Sequence, residues 1–436
     1  MKLATNGTWR NWGRSQSSHP RYIAHAASVD DVIEAVALAR RENLVLKPIG
    51  AGHSFTSIAA TNGVQLDIAA LDGVLAVNGT DVTLAAGTNL YQLPALLGHL
   101  GLALENMGDI DKQTIAGAIS TGTHGTGATF GGLATQVVAL TLVTADGSLL
   151  RISETENADL LPAARLGLGA LGAIVEVTLR CVPEFVMHAL EMPEPLEDVL
   201  DNWIERANAV DHFEFYWFPH TDSALTKTNT RLPADTPRKR QNRVAAWIDD
   251  EALPNGLYVA MCQLGRLAPG VIPPLNRLSN RAVASREIVD GWHEVFTSPR
   301  RVRFREMEYA IPVDHVPAAL REVRELIERK GWKISFPVEV RISAEDQNWL
   351  STAYGRKSGY IAVHRYYRED PTDYFLAVEA IMRAYDGRPH WGKMHTRTAD
   401  DLRPAYPKFD DFLAVRDRLD PDRLFQNDYV RTVLGA

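Results

Sequence analysis

The sequence predicts an α+β protein of two domains, and three observations carry the prediction. The first is length: 436 residues, where a domain takes roughly 100–200. The second is the stretch up to residue 182, where short β-like runs alternate with two helical periodicities and two glycine-rich loops. The third is a change of character after Pro183. There His212 to Phe218 (HFEFYWF) alternates and is aromatic, the mark of a strand with one packed face.

The elements follow in chain order. Ser28-Val29-Asp30-Asp31 is a helix N-cap with an acidic first turn. Val29, Val32, Ile33, Val36 and Ala37 then fall on one helical face. Asn43 to Ile49 is a short strand, followed by the loop Gly50 to Phe55. Short β-like runs come at Val64 to Ile68, Val74 to Val77 and Val82 to Ala86, and Leu90 to Leu100 is helical. The second polar, glycine-rich loop is Gly117 to Gly127, GAISTGTHGTG. Val137 to Thr144 and Ser148 to Ile152 form a hairpin across Asp146-Gly147. Ala173 to Arg180 is an alternating strand. In the second domain Arg231 to Asn242 is polar and basic, an expected exposed excursion. Strands are expected at Arg301 to Ile311, Ile334 to Ile342 and Gly359 to Tyr367, with helices at Val316 to Lys330 and Tyr374 to Tyr385. One sheet with helices on one side fits this pattern. No reading explains residues 233–256.

Composition excludes several classes. Hydrophobic residues make up 45% and charged residues 23%, ordinary for a globular protein. A formal net charge of -8 is a poor match to nucleic acid, whose phosphates call for clustered Lys and Arg. It also disfavours anionic membrane surfaces. Two cysteines, Cys181 and Cys262, rule out a disulfide framework and a cysteine-rich zinc site, and both are expected as buried spectators. No window reaches the roughly 18 apolar residues of a membrane span, and the first residues lack the apolar core of a signal peptide. A soluble cytoplasmic protein is expected, with room for a peripheral membrane contact, which needs only a small apolar patch.

The two glycine-rich loops carry the chemical signal. Gly50-x-Gly52 follows a strand, but the third glycine of a dinucleotide fingerprint would fall at Phe55, and no helix pattern begins there. The loop can still present backbone N–H groups to an anion, with Ser54 adding a hydroxyl. In the second loop Ser120, Thr121, Thr123 and Thr126 alternate with Gly117, Gly122, Gly125 and Gly127. Each loop alone fits an ordinary solvated turn. Two in one domain point to a nucleotide cofactor.

Lys47 to Phe55 (KPIGAGHSF) resembles the first flavin loop of the vanillyl-alcohol-oxidase type of FAD-linked oxidoreductases, and GAISTGTHGTG resembles their second. His390-Trp391-Gly392-Lys393, Leu419-Asp420-Pro421 and Phe425-x-Asn427 narrow the resemblance to the sugar-lactone branch. That branch holds L-gulono-, D-arabinono- and L-galactono-1,4-lactone oxidoreductases and the related alditol oxidases. The resemblance runs from about Trp12 to Gly435 and is weakest between about Leu190 and Arg300. It implies an FAD-binding domain over residues 1–182, a substrate domain with a large antiparallel sheet over 183–393, and a segment 394–436 returning to the first domain.

The family attaches FAD covalently through a first-loop histidine, which His53 matches; some plant members lack it. The resemblance places Gly50, Ala51, Gly52, Ser54, Phe55, Gly108, Asp109, Gly117, Ser120, Gly122, Thr123, His124, Gly125, Gly127, Val175 and Asn427 around the cofactor. His124 is taken as structural or flavin-side. Glu339 and Arg341 stand at i and i+2, so on a strand they share a face. An ordinary ion pair would have this spacing. The resemblance instead puts both, with Lys393, in front of the flavin. Arg341 and Lys393 would stabilise charge on the reacting oxygen, and Glu339 would fix the sugar hydroxyls; which group is the base stays open. His390 and Trp391 would shape the site. His364, His390 and His395 fit no standard zinc spacing, and no metal is expected.

Gly108 matches a position beside the flavin where a small residue admits oxygen, which favours an oxidase over a dehydrogenase. Asp109 stands where alditol oxidases carry serine, which favours lactones. The expected reaction is oxidation of the C2 hydroxyl of an aldono-1,4-lactone, L-gulono-1,4-lactone first among candidates. The flavin is then reoxidised by O2 or another acceptor. An alditol oxidase giving an aldose and H2O2 is the alternative.

Overall fold

The computed structural model describes residues 1–239, 258–298 and 302–436. The last residues of the excursion expected from Arg231 to Asn242, the start of the strand expected at Arg301, and most of 233–256 lie outside them.

The first helix, Val29–Arg41, begins where expected. Ser28 and Asp31 form a reciprocal capping box, and Arg40 and Arg41 sit at the negative end of the helix dipole. Its buried face, including Val32, Ala35, Val36 and Ala39, covers a four-stranded sheet. In that sheet Tyr22–His25, Val64–Asp67 and Leu46–Ile49 run parallel, and Lys2–Thr5 pairs antiparallel at the edge. A second, five-stranded sheet holds the Asp146-Gly147 hairpin. Gly147 takes φ 88°, a left-handed turn conformation suited to glycine.

The next part of the chain builds an eight-stranded antiparallel sheet. Its order is Arg286–Gly291, Phe185–Pro195, Ser223–Pro233, His212–Trp217, Val338–Ser343, Ser358–Tyr366, Phe304–Pro312, Arg388–Pro389. Strict alternation divides its faces. Phe213, Phe215, Trp217, Val338, Val340, Ile342, Met307 and Ile311 pack into one apolar core with residues of the helices Val316–Lys330 and Thr372–Ala384. The residues between them face the other way: Tyr216, Glu339, Arg341, Glu306 and Glu308 line a cavity, and Glu214 pairs with Arg341.

The chain then returns to the first core. Leu402, Phe409, Phe412, Leu424, Phe425, Val430 and Val433 share one apolar cluster with Val36, Leu66, Leu84 and Ile119. Leu46 N–H donates to the Leu424 carbonyl, and the buried Lys47 ammonium donates to the carbonyls of Gly169 and Phe425 at 3.1 and 3.0 Å.

Four expectations need correction. Ile115–Ser120, at the start of the expected second loop, is a short helix capped by Thr114, with Ile115, Ala116, Ala118 and Ile119 buried. Packing there overrides the poor propensity of Gly117 and Ser120. The strand expected from Ile334 begins at Val338, behind Pro337, which has no N–H to give a ladder. Arg231, Leu232 and Pro233 continue strand Ser223–Pro233 and are not a free excursion. The run Leu90 to Leu100 divides into a 3-10 turn, Leu90–Gln92, and a helix, Leu93–Gly98. Cys181 and Cys262 are free and buried. Among the described residues, no helix is long and apolar enough to cross a membrane.

Candidate active site

The polar face of the large sheet and the two glycine-rich loops enclose a cavity of about 670 Å³. Glu339, Arg341 and Lys393 line it, as do His53, Ser54, Phe55, Gly108, Asp109, Thr123 and His124. A narrow channel of about 90 Å³ runs beneath the loops, lined by residues 47–54, Thr114, Gly117, Ser120, Gly169 and Ile174. His53, Ser54, Gln113 and Thr121 belong to both spaces. The site therefore joins a tight, glycine-walled channel to a wide polar chamber. That shape suits a cofactor with a nucleotide tail and a broad reactive head.

The two loops touch. A Cβ on Gly50 would lie 2.2 Å from Thr114 Oγ1, the atom that caps helix Ile115–Ser120. Only glycine permits that approach. Gly52 takes φ 68° one residue before His53. The His53 ring stacks near Trp12, with centroids 5.5 Å apart. Burial, then the Lys393 charge, pushes the His53 imidazole down to about 4. It is neutral at physiological pH, so one ring nitrogen keeps its lone pair.

Two cations organise the chamber. Arg341 pairs with Glu339, with Glu214 at 2.9 Å and with Asp109 at 3.4 Å. Burial works against the guanidinium charge, but these carboxylates outweigh it and hold the pKa well above its usual value. Lys393 pairs with Glu306 and lies 3.8 Å from Glu308. Burial again opposes the charge, and the two glutamates raise the ammonium pKa above normal. Both cations are thus fixed at neutral pH in a buried site, where their fields are little screened.

Sequence reasoning missed Glu214, Tyr216, Glu306 and Glu308. The signal was present: Glu306-Met307-Glu308 has the i, i+2 spacing of Glu339 and Arg341, and Glu214-Phe215-Tyr216 repeats it. Register explains their convergence, because Tyr216 lies opposite Glu339, Ala362 stands between Glu339 and Glu308, and His364 lies opposite Glu306.

Five expected cofactor residues line neither space. Asn427 spends its amide on the carbonyls of Ser57, Ile58 and Ala60 and caps helix Asp428–Leu434. Val175 points into the core, and its neighbour Ile174 faces the channel, as alternation requires. Gly125 admits close contact with Asn106 and Met107, and Gly127 with Asp211. Gly122, at φ 78°, turns the chain at the end of helix Ile115–Ser120. Ala51 lines the channel as expected. Trp391 is fully buried and donates to the Leu350 carbonyl, while His390 reaches the chamber.

His124, Glu308 and His390 cluster closely enough to hold a cation. Their bonding gives them other partners. His390 Nδ1 accepts from Gly392 N–H at 3.0 Å, so its proton sits on Nε2. Burial pushes this ring down to about 4. Glu308 already bonds His124 at 2.6 Å, and the Lys393 ammonium stands beside it.

Comparison with known proteins agrees with this architecture. An FAD binding domain model matches residues 20–153. The fold is that of cholesterol oxidase from Brevibacterium sterolicum (His121Ala mutant), with TM-score 0.83 at 17% identity, covering 99% of this chain and 97% of that one. A solvent-stable cholesterol oxidase aligns with the same TM-score of 0.83 at 17% identity, covering 100% and 98%. Fold and site together define a two-domain FAD-dependent oxidoreductase. The D-arabinono-1,4-lactone oxidase model matches residues 177–433. The chain belongs to that family. It is 45% identical to L-gulono-1,4-lactone dehydrogenase of Mycobacterium tuberculosis, over 98% of this chain and 99% of that protein. It is 37% identical to L-gulonolactone oxidase of Bos taurus, over 98% of both chains.

Proposed function

We propose that the protein oxidises the C2 hydroxyl of an aldono-1,4-lactone, with L-gulono-1,4-lactone as lead substrate. The observation that carries this reading is the pair of carboxylate-held cations, buried Arg341 and half-buried Lys393, facing the chamber beside His53. FAD, when bound, supplies the two-electron acceptor for the hydride. The chain supplies the rest. Arg341 and Lys393 stabilise negative charge growing on the substrate oxygen. Glu339 accepts hydrogen bonds from ring hydroxyls while Arg341 holds it in place. Neutral His390 adds a polar wall without charge. The 2-keto lactone so formed tautomerises to an enediol, which from the gulonolactone is L-ascorbate.

We further propose that FAD is bound covalently through His53, whose neutral ring is the nucleophile, and that O2 serves as an acceptor. Gly108 bears on the acceptor with a qualification. A Cβ there would lie 3.0 Å from the His124 carbonyl oxygen and 3.3 Å from Thr123. Its small size therefore serves loop packing as well as any passage for oxygen.

Turnover of L-gulono-, L-galactono- and D-arabinono-1,4-lactone against xylitol and sorbitol tests the substrate class. The lactones are expected to be oxidised and the alditols not; the reverse would make the protein an alditol oxidase. Acid precipitation tests the link. Yellow colour stays in the wild-type pellet and passes to the supernatant in His53→Ala, whereas colour released by the wild type would refute covalency.

A further inference from the structure

Lys47 stands on strand Leu46–Ile49 and is only 1% exposed, yet the reaction above gives it no task. Its amine donates to the Gly169 and Phe425 carbonyls at 3.1 and 3.0 Å. Those two bonds use two N–H groups. A third position remains on Nζ, a lone pair in the neutral amine or an N–H in the ammonium. No third acceptor bonds it among the described residues, and no carboxylate there forms an ion pair with it. The charge that reaches it is that of Asp420. Asp420 already accepts from the N–H groups of Leu424 and Phe425 at 2.7 and 2.9 Å. A buried ammonium without a close counter-charge is costly. Burial accordingly pushes Lys47 down to about 7, with Asp420 offsetting part of the shift.

The surroundings of Lys47 are those of a ligand site. It lines the narrow channel beneath the two glycine-rich loops, with Gly50, Gly52, Gly117, Gly169 and Gly172. Gly169 lies against the amine, since a Cβ there would stand 3.6 Å from Nζ. The turn that carries it is strained. Leu168 and Gly169 take φ 54° and 61°, a region that a bulky residue such as leucine rarely adopts. Leu168 N–H donates to the Ser120 carbonyl at 3.1 Å, and Lys47 grips the Gly169 carbonyl. Backbone strain held in this way gathers at ligand sites. Among the residues lining the channel, Lys47 and His53 are the titratable ones, and His53 is neutral. The channel therefore offers one group able to become a cation. FAD is anionic at its pyrophosphate.

We propose that Lys47 is the counter-ion of the cofactor's pyrophosphate and takes up a proton as FAD binds. This role rests on the FAD reading above, and neither the lactone nor the covalent link enters it. Without an anion beside it, the amine is satisfied by its two carbonyls and burial favours the neutral form. An anion in the channel reverses that preference, because opposite charges attract strongly where water is excluded. The proton comes from solvent and fills the third position of Nζ. The sign follows from linkage: the complex binds more protons than its parts, so FAD binding weakens as pH rises above about 7.

The test uses the full chain carrying His53→Ala and freed of flavin, so that FAD binds reversibly and is read from quenching of its fluorescence. Adding Lys47→Met should weaken binding ~10- to 10²-fold, the usual range for a lost hydrogen bond to a charged group. Lys47→Arg should recover part of the affinity. Calorimetry in two buffers of different ionisation heat, from pH 7 to 9, counts the protons. The His53→Ala parent should take up a fraction of a proton that grows as pH rises above 7, and Lys47→Met should abolish that uptake. Unchanged affinity in Lys47→Met overturns the proposal. Equal proton counts in the two proteins overturn it as well, since a merely structural tie between turn and tail would lower affinity without moving the count. If Lys47→Met does not fold, the parent decides alone: growing uptake over this window supports the counter-ion, and none overturns it. Failure of the FAD reading looks different, because the parent then binds no FAD at any pH.

Discussion

Arg341 is held from three segments at once, by Glu339 on its own strand, Glu214 on the neighbouring strand and Asp109 on a loop of the first domain. Removing it leaves three carboxylates facing one another, two of them, Glu214 and Glu339, buried. Arg341→Leu should therefore cost ~3–5 kcal/mol of stability, the usual result of orphaning a buried ion pair. It should also lower kcat/KM by ~10²-fold or more, as losing one charge-stabilising donor does. Thermal melts and lactone kinetics on the same samples check both. A variant as stable and active as the wild type would remove Arg341 from the site. At this scale much of the site was legible. His53, Glu339, Arg341 and Lys393 were all marked by sequence, and all line the chamber. Glu306, Glu308 and Glu214 were not, because an acidic residue in an alternating strand has the same spacing whether it faces solvent or a cavity. Only the strand register, a long-range fact, tells the two apart.

Elements were easier to read where periodicity was strong. Helix Val316–Lys330 has the predicted bounds, and the alternation of HFEFYWF became a strand with Phe213, Phe215 and Trp217 on the packed face. Legibility failed where local and tertiary signals conflict. Helix Ile115–Ser120 is hidden in a glycine-rich run and is held by burial and by the Thr114 cap. The contact of Gly50 with that cap joins the two loops into one unit. Gly50→Ala would place a methyl group 2.2 Å from Thr114 Oγ1, with the atoms of both loops closely packed. Overpacking of this kind costs ~1–3 kcal/mol. The variant should melt lower and retain less flavin per chain after purification; wild-type flavin content would show that the loops have slack.

At the scale of the whole molecule, the sheet order is what sequence could not supply, since strands far apart in the chain pair across the large sheet. Phe185–Pro195 binds Ser223–Pro233 and Arg286–Gly291, for example. The packing of many histidines in the interior has a global consequence. Burial, the largest cause in each case, pushes His212, His220, His390 and His395 down to about 4. In the unfolded chain each would titrate near ~6.5. Between those values the unfolded state binds more protons than the folded one. Stability is therefore full above about 6.5 and lost as pH falls toward 4, with a slope of ~1.4 kcal/mol per pH unit for each proton taken up. Urea midpoints measured from pH 7.5 down to 4.5 should fall steadily over that window, and a flat profile would contradict the neutral, buried histidines.

The central claim, that these two domains join a flavin to a lactone across Arg341 and Lys393, is tested most directly by one spectrum. The purified protein is made anaerobic and L-gulono-1,4-lactone is added. The oxidised-flavin absorbance should disappear in a single turnover and return when an electron acceptor is admitted. A flavin that stays oxidised with every aldonolactone tried would contradict the account.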